Sequence, residues 1–599
     1  MIENSDLNEL LKKGLEYHKN NKFIEALEIY KKILIEDSNH FETNFYMGTL
    51  LAQTKKFTEA SSHIIKAIKI KPEIAELHNN LGLIYKELNE FKKSISCFEE
   101  AIKISPKFAM AYNNLGIVNW DLNKFEDAEK NFLKSAELNS ENSETYNYLG
   151  LIYRKKDFER AKYYFEKCLK LNPKNFIVLN NLGNLYKNFG NAEISEKYFT
   201  EAISINENYF DAYNNLMDLF DKTNQNDNFL NIINKSKIIF NNNSIISLFY
   251  GLYLFKTKNY HKSITTLEKI SFNNNELNRE RLRSQILAKN YDKIKNYDAA
   301  FDHFTKTNQI NLLNKDQNID KNRIIEVINE RIKSLDQIKT INKKEDLTIN
   351  SNHQLVFMIG FPRSGTTLLD TILRSHELIE VLEEKPIVPK LIVSLKKKVG
   401  NNFNNITKEH ISLLQNEYFE NIKNYSSNNK KIIIDKMPLN IIYTAEIFKI
   451  FPKAKFIISL RHPVDTVLSC YMQSFKLNDA MANFLNLEDS AKMYDKIMTL
   501  WIKCIEKLDI DYHEVKYESL VKDFDKTVQE TLKFINVEWS DEVIKFYDTA
   551  KKRGFISTPS YDQVNQPIYK DSLNRWKNYQ NHTKNIFPIL DRWIKKFNY

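Results

Sequence analysis

Cysteine is nearly missing from this chain: only Cys97, Cys168, Cys470 and Cys504 occur in 599 residues. They form no C-x-x-C pair and have no histidines at ligand spacing, which excludes a zinc module and a disulfide framework. Each is expected to be a small buried hydrophobe in a reducing compartment. No apolar run approaches the ~20 residues that cross a bilayer. The opening Met1-Ile-Glu-Asn-Ser-Asp lacks the basic and apolar regions of a secretory signal, so a cytoplasmic protein is expected. Glycine and proline, at 12 each, are scarce for this length and favour long helices with few sharp turns. The net charge of +10 is spread as lysines among acidic residues, which suits an anionic small ligand and argues against nucleic acid. A chain of this length exceeds one core.

What is present is repetition. Gly14, Gly48, Gly82, Gly116 and Gly150 step by 34 residues, and Gly183 follows after 33. Asn79-Asn80-Leu81-Gly82 recurs at 113–116 and 180–183, with a variant at 146–150. Ala26, Ala60 and Ala128 lie twelve after their glycines, and Tyr30, Phe98 and Phe132 sixteen after. This is the tetratricopeptide period, a helix–turn–helix unit whose small residues let paired helices approach. Residues 1–310 are read as a superhelical array of roughly nine units, the last ones degenerate. Residues 311–352 are read as a capping helix, with Ile324, Ile325, Val327, Ile328 and Ile332 on one side, and a polar linker. Asn79, Asn113, Asn147, Asn180 and Asn214 share one position in the first helix of their units. Side-chain amides there can pair with a peptide backbone. The array is similar to the repeat arm of O-linked N-acetylglucosamine transferase, a resemblance that implies peptide capture by this ladder.

From residue 353 the pattern turns to strands alternating with helices, the mark of an open parallel sheet. Leu355 to Ile359 read as a buried strand, Gly360 to Gly365 as a tight loop, and Thr366 as the start of a helix. Such a turn offers unpaired N–H groups and the positive end of a helix to an anion. Arg363 adds charge, while Ser364, Thr366 and Thr367 add hydroxyl donors, making a phosphate cradle. Thr366 stands where a nucleotide triphosphatase needs lysine, which argues against ATP or GTP as phosphoryl donor. A second strand delivers Asp435 and Lys436 at its carboxyl end, where ligands bind in such sheets, and a lysine there can neutralise a leaving oxyanion. A third, Lys455 to Leu460, leads to Arg461, Pro463 at a helix start and Ser469, so that Arg461 and Ser469 can meet one phosphate. His462 reads as structural. Glu383 and Glu384 are adjacent carboxylates, an arrangement that can raise a pKa and suits a base.

These segments together resemble sulfotransferases that use 3′-phosphoadenylyl sulfate (PAPS). P-R-S-G-T-T-L at 362–368 resembles their 5′-phosphosulfate loop, and Arg461 with Ser469 their R-(x)7-S site for the 3′-phosphate. Asp435-Lys-Met-Pro438 resembles a motif of repeat-containing sulfotransferases. Thr558 to Tyr569, followed by Arg575-Trp576, resembles the cofactor-covering segment of tyrosylprotein sulfotransferases. The resemblance implies donor binding by Arg363, Ser364, Gly365, Thr366, Thr367, Arg461, Ser469, Tyr517, Ser560 and Arg575. It implies catalysis by Glu384 as base, with Lys436 and Ser560 stabilising the leaving bisphosphate and no metal in the chemistry. Pro386 and Gln473 replace two arginines of that family. Pro386 weakens the case for an acidic tyrosine peptide, and Lys385 is placed to restore part of the charge. The expected architecture is α plus α/β: an all-α tetratricopeptide superhelix, then a P-loop-like sulfotransferase domain with a central parallel sheet over 353–599. The expected activity is sulfuryl transfer from PAPS to a hydroxyl, foremost a protein tyrosine presented by the arm. Two other readings stand: a carbohydrate or lipid acceptor with the arm used for assembly, and a repeat scaffold with a degenerate transferase domain. A peptide or protein partner is expected on the concave face, with no nucleic acid and no transmembrane segment, and a homodimer is compatible with the pattern.

Overall fold

Helices with an apolar stripe on one side cannot stand alone in water, and here they pair. The computed structural model describes residues 4–336, 353–400, 406–426, 430–552 and 573–599. Two compact units result, Met1–Phe249 and Tyr250–Tyr599. In the first, the fourteen helices from Asn4–Lys19 to Asn226–Ile239 form seven hairpins. The recurrent glycine is a close-approach residue. A Cβ on Gly82, Gly116, Gly150 or Gly183 would lie 2.5–2.7 Å from the ring of Phe98, Phe132, Phe165 or Phe199. The position twelve after the glycine (eleven after Gly150) is alanine or serine for the same reason. Ala26, Ala60 and Ala128 are fully buried, while Ser94 Oγ donates to the Gly82 carbonyl at 2.7 Å and Ser195 Oγ to the Gly183 carbonyl at 2.8 Å. Each hydroxyl thus finds a partner where none is available from water.

In the second unit, the helices Leu277–Lys293 and Tyr297–Leu313 form a hairpin whose outer surface is not solvated. Ala288, Ala300 and Phe304 pack with Leu468, Tyr471, Met472 and Tyr579. Asn308 Nδ2 donates to the Tyr471 carbonyl at 2.9 Å, Thr305 and Tyr471 hydroxyls lie 2.7 Å apart, and Tyr579 Oη donates to Asp292 at 2.6 Å. The helix Lys321–Asp336 sends Ile328 and Leu335 into the core beside the sheet. Its Arg331 is buried against Glu446, with Nη2 2.7 Å from Oε1. Helices that repeat the array's pattern therefore belong to the same compact body as the sheet.

That sheet is five strands, all parallel: β1 (Gln354–Gly360), β2 (Ile379–Glu383), β3 (Ile432–Lys436), β4 (Lys455–Leu460) and β5 (Asp511–Lys516), in the order β2-β3-β1-β4-β5. The central strands are apolar on both faces because helices cover both. Phe357, Ile359, Ile433, Phe456 and Ile458 face one layer. Val356, Met358, Ile432, Ile434 and Ile457 face the other, with Leu369, Ile372 and Leu373 of the helix Thr366–Arg374. Successive side chains point to opposite faces, so neighbours Asp435 and Lys436 are sent to different layers. Among the described residues, no helix is long and apolar enough to cross a membrane.

Candidate functional site

β1 and β4 are adjacent in the sheet, with Gly360 opposite Ser459, so the loops leaving their carboxyl ends face each other. A Cβ on Gly360 would lie 2.7 Å from the Ser459 carbonyl oxygen and 2.9 Å from Ser364 Oγ. Glycine is what lets the first loop turn there. Arg363 (φ 70°) and Gly365 (φ 100°) are both left-handed, and Gly365 is the N-cap of the helix that Thr366 begins. The first-turn N–H groups of that nine-residue helix face the loop, where an anion is favoured. Ser364 Oγ is buried with no hydrogen-bond partner, an orphan donor inside the cradle. Groups left this way in a native fold are commonly completed by water or ligand.

The structure brings the two arginines together. Arg363 Nε donates to Ser469 Oγ at 3.3 Å, and Arg461 Nη1 donates to the Arg363 carbonyl at 3.4 Å. Tyr517 joins the two loops: the Arg461 guanidinium lies 5.0 Å from its ring centroid, and its ring abuts Gly365. Arg461 is buried, with Asp465 Oδ2 at 3.9 Å. Asp465 in turn accepts the Trp576 backbone N–H at 2.7 Å. Burial pushes its carboxyl up, and Arg461 pulls it back. His462 stacks on Trp576, and burial, with Arg461 and Lys577, lowers its imidazole to about 4. A neutral, stacked ring is a packing element. Arg575 is drawn elsewhere, with Nη2 2.9 Å from Asp292 Oδ1. Ser560 lies outside the described residues.

Lys436 is fully buried at the end of β3. Its ammonium donates to Glu384 Oε1 at 3.0 Å, with Glu383 Oε1 at 3.8 Å and Asp370 Oδ2 at 3.9 Å. Asp370 is also fully buried and accepts from Arg374 Nε and Nη2 at 3.0 and 2.8 Å. Burial pushes the Asp370 carboxyl up, opposed by Arg374 and Lys436. Glu383 ends β2 and points inward, whereas Glu384 has left the strand (φ 48°) and its side chain is 40% exposed. Asp370 is absent from the expectations above. Its spacing of four from Arg374 on one helix was the available signal. On the opposite face, Asp435 accepts from Tyr418 Oη at 2.8 Å, and burial pushes its carboxyl up to about 7.

Four of the five ladder asparagines bond to the next repeat. Asn79, Asn113 and Asn180 are buried. Asn79 accepts from Asn114 at 2.9 Å, Asn113 from Thr145 at 2.8 Å, Asn147 from Asn181 at 3.0 Å and Asn180 from Asn215 at 2.9 Å. Asn147 and Asn214 remain half-exposed. These bonds fix each hairpin on the next. Lys385 lies over the Tyr425 ring at 5.3 Å. All four cysteines are free, and no acid, histidine and cysteine group that could hold a metal is found among the described residues.

Comparison with known proteins agrees with this division. The sulfotransferase family matches residues 355–541, and tetratricopeptide repeats match 75–108, 108–140, 143–175 and 164–197. An uncharacterized protein of Aquifex aeolicus (strain VF5) is 28% identical over 332 residues, 52% of this chain and 41% of its own. Protein-tyrosine sulfotransferase 1 of Danio rerio is 28% identical over 239 residues, 38% of this chain and 66% of its own. The chain thus spans under half of the first relative and about two thirds of the second. Among solved structures, Pseudomonas aeruginosa pilF matches with a TM-score of 0.32 and 20% identity, covering 35% of this chain and 96% of that one.

Proposed function

Taking as premise that this chain joins tetratricopeptide repeats to a sulfotransferase-family domain, we propose that it moves the sulfuryl group of PAPS to a hydroxyl acceptor, foremost a tyrosine of a protein that the repeat arm engages. The observation that supports this most is the convergence of Arg363, Arg461, Ser469 and Tyr517. Two strand–loop–helix turns, about a hundred residues apart in the chain, open on one another. A donor with charge at both ends of its nucleoside needs two such anion sites. The 5′-phosphosulfate is assigned to the cradle of Arg363 to Thr367, and the 3′-phosphate to Arg461 and Ser469.

Lys436 and Glu384 form the reacting pair in this reading. The acceptor oxygen bonds to sulfur as the sulfur–oxygen bond to the phosphate breaks, and the acceptor proton goes to Glu384. A phenol holds that proton with a pKa of about 10, so a base is useful at neutral pH. Lys436 neutralises the oxyanion of the departing bisphosphate. The Lys436–Glu384 bond at 3.0 Å holds the two side chains beside one another until substrates separate them. A second reading, a carbohydrate hydroxyl acceptor, draws on Pro386, which stands where the resemblance calls for an arginine.

The test is calorimetric titration with 3′,5′-bisphosphoadenosine and with ADP, which lacks the 3′-phosphate. The bisphosphate should bind at least about tenfold tighter, the worth of one charged hydrogen-bonded contact. Arg461→Ala should remove that preference. Equal affinity of the wild-type chain for both nucleotides sinks the assignment.

A further inference from the structure

Beside the sheet, the helices Leu277–Lys293 and Tyr297–Leu313 and the residues after the helix Pro463–Tyr471 enclose a cleft of about 460 Å³. Arg281, Lys315 and Lys476 line it. Arg281 Nη1 donates to Ser474 Oγ at 2.7 Å, a neutral partner. Burial lowers its guanidinium from the ordinary arginine value. Lys315 donates to the Ile319 carbonyl, also neutral. Among the described residues, no carboxylate pairs with any of the three. The one acid in the lining, Asp316, is at the exposed rim and caps its own turn, accepting from the Asn318 N–H at 2.9 Å. A fourth donor joins them: Asn311 is buried, lines the cleft, and its Nδ2 has no hydrogen-bond partner.

A part-buried guanidinium held only by a neutral hydroxyl is poorly compensated. Three cations, one peripheral acid and an orphaned amide N–H make an acceptor-poor wall that an oxyanion would complete. We propose that this cleft is a second anion site, separate from the cradle, taking a carboxylate or a sulfate or phosphate monoester. Ser474 follows Ser469 by five residues, so its wall begins within about 17 Å of the Arg363–Ser469 contact. That reach allows an acidic group of an acceptor bound at the first site to enter it. The acceptor role rests on the function proposed above, whereas oxyanion binding does not.

The probe is inorganic sulfate, titrated calorimetrically into the full chain after saturation with 3′,5′-bisphosphoadenosine, so that the cradle is occupied. Sulfate should still bind, and Arg281→Gln and Lys476→Gln should each weaken it by about fivefold or more, since a contact to a charged group is worth at least that. Lys476 is exposed, so its variant reports on binding even if Arg281→Gln fails to fold. Displacement of sulfate by a glutamate-containing peptide, but not by its glutamine counterpart, assigns the site to the acceptor. Displacement by small oxyanions alone assigns it to a free ion, and either result supports oxyanion recognition. Sulfate affinity unchanged in both variants, or no sulfate bound, overturns it. If the bisphosphate itself fails to bind, the proposed donor falls while the sulfate comparison between variants is still read.

Discussion

Asp435 and Lys436 are neighbours in sequence with unlike surroundings, and they are expected to behave differently in experiment. The folded protein holds the Asp435 proton up to about pH 7, whereas an unfolded aspartate loses it near 3.9. Its contribution to stability is complete below about pH 4 and is lost as pH rises through about 7. Unfolding free energies from urea titrations at pH 5, 6.5 and 8 should fall by an amount on the order of 2 kcal/mol across that range. Asp435→Asn, which can still accept from Tyr418, should flatten the profile. Parallel profiles for the two proteins would show that another group titrates. Glu384→Gln should lower kcat by about 10²–10⁴-fold while leaving bisphosphate affinity within about threefold of wild type, whereas Lys436→Ala should lower kcat by about 10²–10³-fold and weaken bisphosphate binding as well. A Glu384→Gln enzyme with normal turnover removes that side chain from the base role. The chain alone identified Glu383 and Glu384 as a pair but not which one solvent reaches. That depends on where β2 ends, because the left-handed turn at Glu384 reverses the side-chain alternation. Asp370 escaped notice because a buried helical carboxylate near a lysine sixty-six positions away leaves no local pattern.

The repeats were legible as elements because one packing constraint recurs every turn of the array. A large apolar side chain fifteen or sixteen positions on leaves no room for anything larger than glycine, so the 34-residue step is visible without coordinates. Alanine normally stabilises a helix over glycine by about 0.5–1 kcal/mol. Gly116→Ala should do the reverse, since its new methyl would meet Phe132 at 2.7 Å. Overpacking of this kind costs about 1–3 kcal/mol, and a higher melting temperature in the variant would refute the close-approach account. The asparagines were legible as a ladder, but not which way their amides point. An amide can face a peptide or the next hairpin, and Asn114, Asn181 and Asn215 each take a preceding ladder carbonyl. Strand identity was legible from apolar runs, whereas the order β2-β3-β1-β4-β5 was not. Parallel neighbours are set by crossovers, which leave no mark in the strands themselves.

At the scale of the molecule, the compact body that holds the cradle begins at Tyr250, well before the first strand. A fragment of residues 250–599 should unfold cooperatively and bind 3′,5′-bisphosphoadenosine, gaining about 2.7 kcal/mol at a hundredfold excess over Kd. A fragment of 353–599 would expose Leu468, Tyr471, Met472 and Tyr579 and strand the Glu446 carboxylate without Arg331. It is expected to aggregate or to lose its calorimetric transition, and a soluble 353–599 fragment of equal stability would contradict the boundary. Composition marked the change from repeats to sheet near residue 353. It could not show that the preceding hairpin is held by Tyr471 and Tyr579, since those bonds join residues more than 160 positions apart.

That attachment limits how such a chain can lengthen. Copying a 34-residue segment anywhere among the early hairpins reproduces a surface that already fits its own neighbour. Copying the hairpin 277–313 would interpose a duplicate between Asn308 and Tyr471, Asp292 and Tyr579, or Arg281 and Ser474. Variation in arm length by duplication is therefore expected upstream of Tyr250, while the final hairpin changes only in step with the residues of the sheet-containing body that grip it.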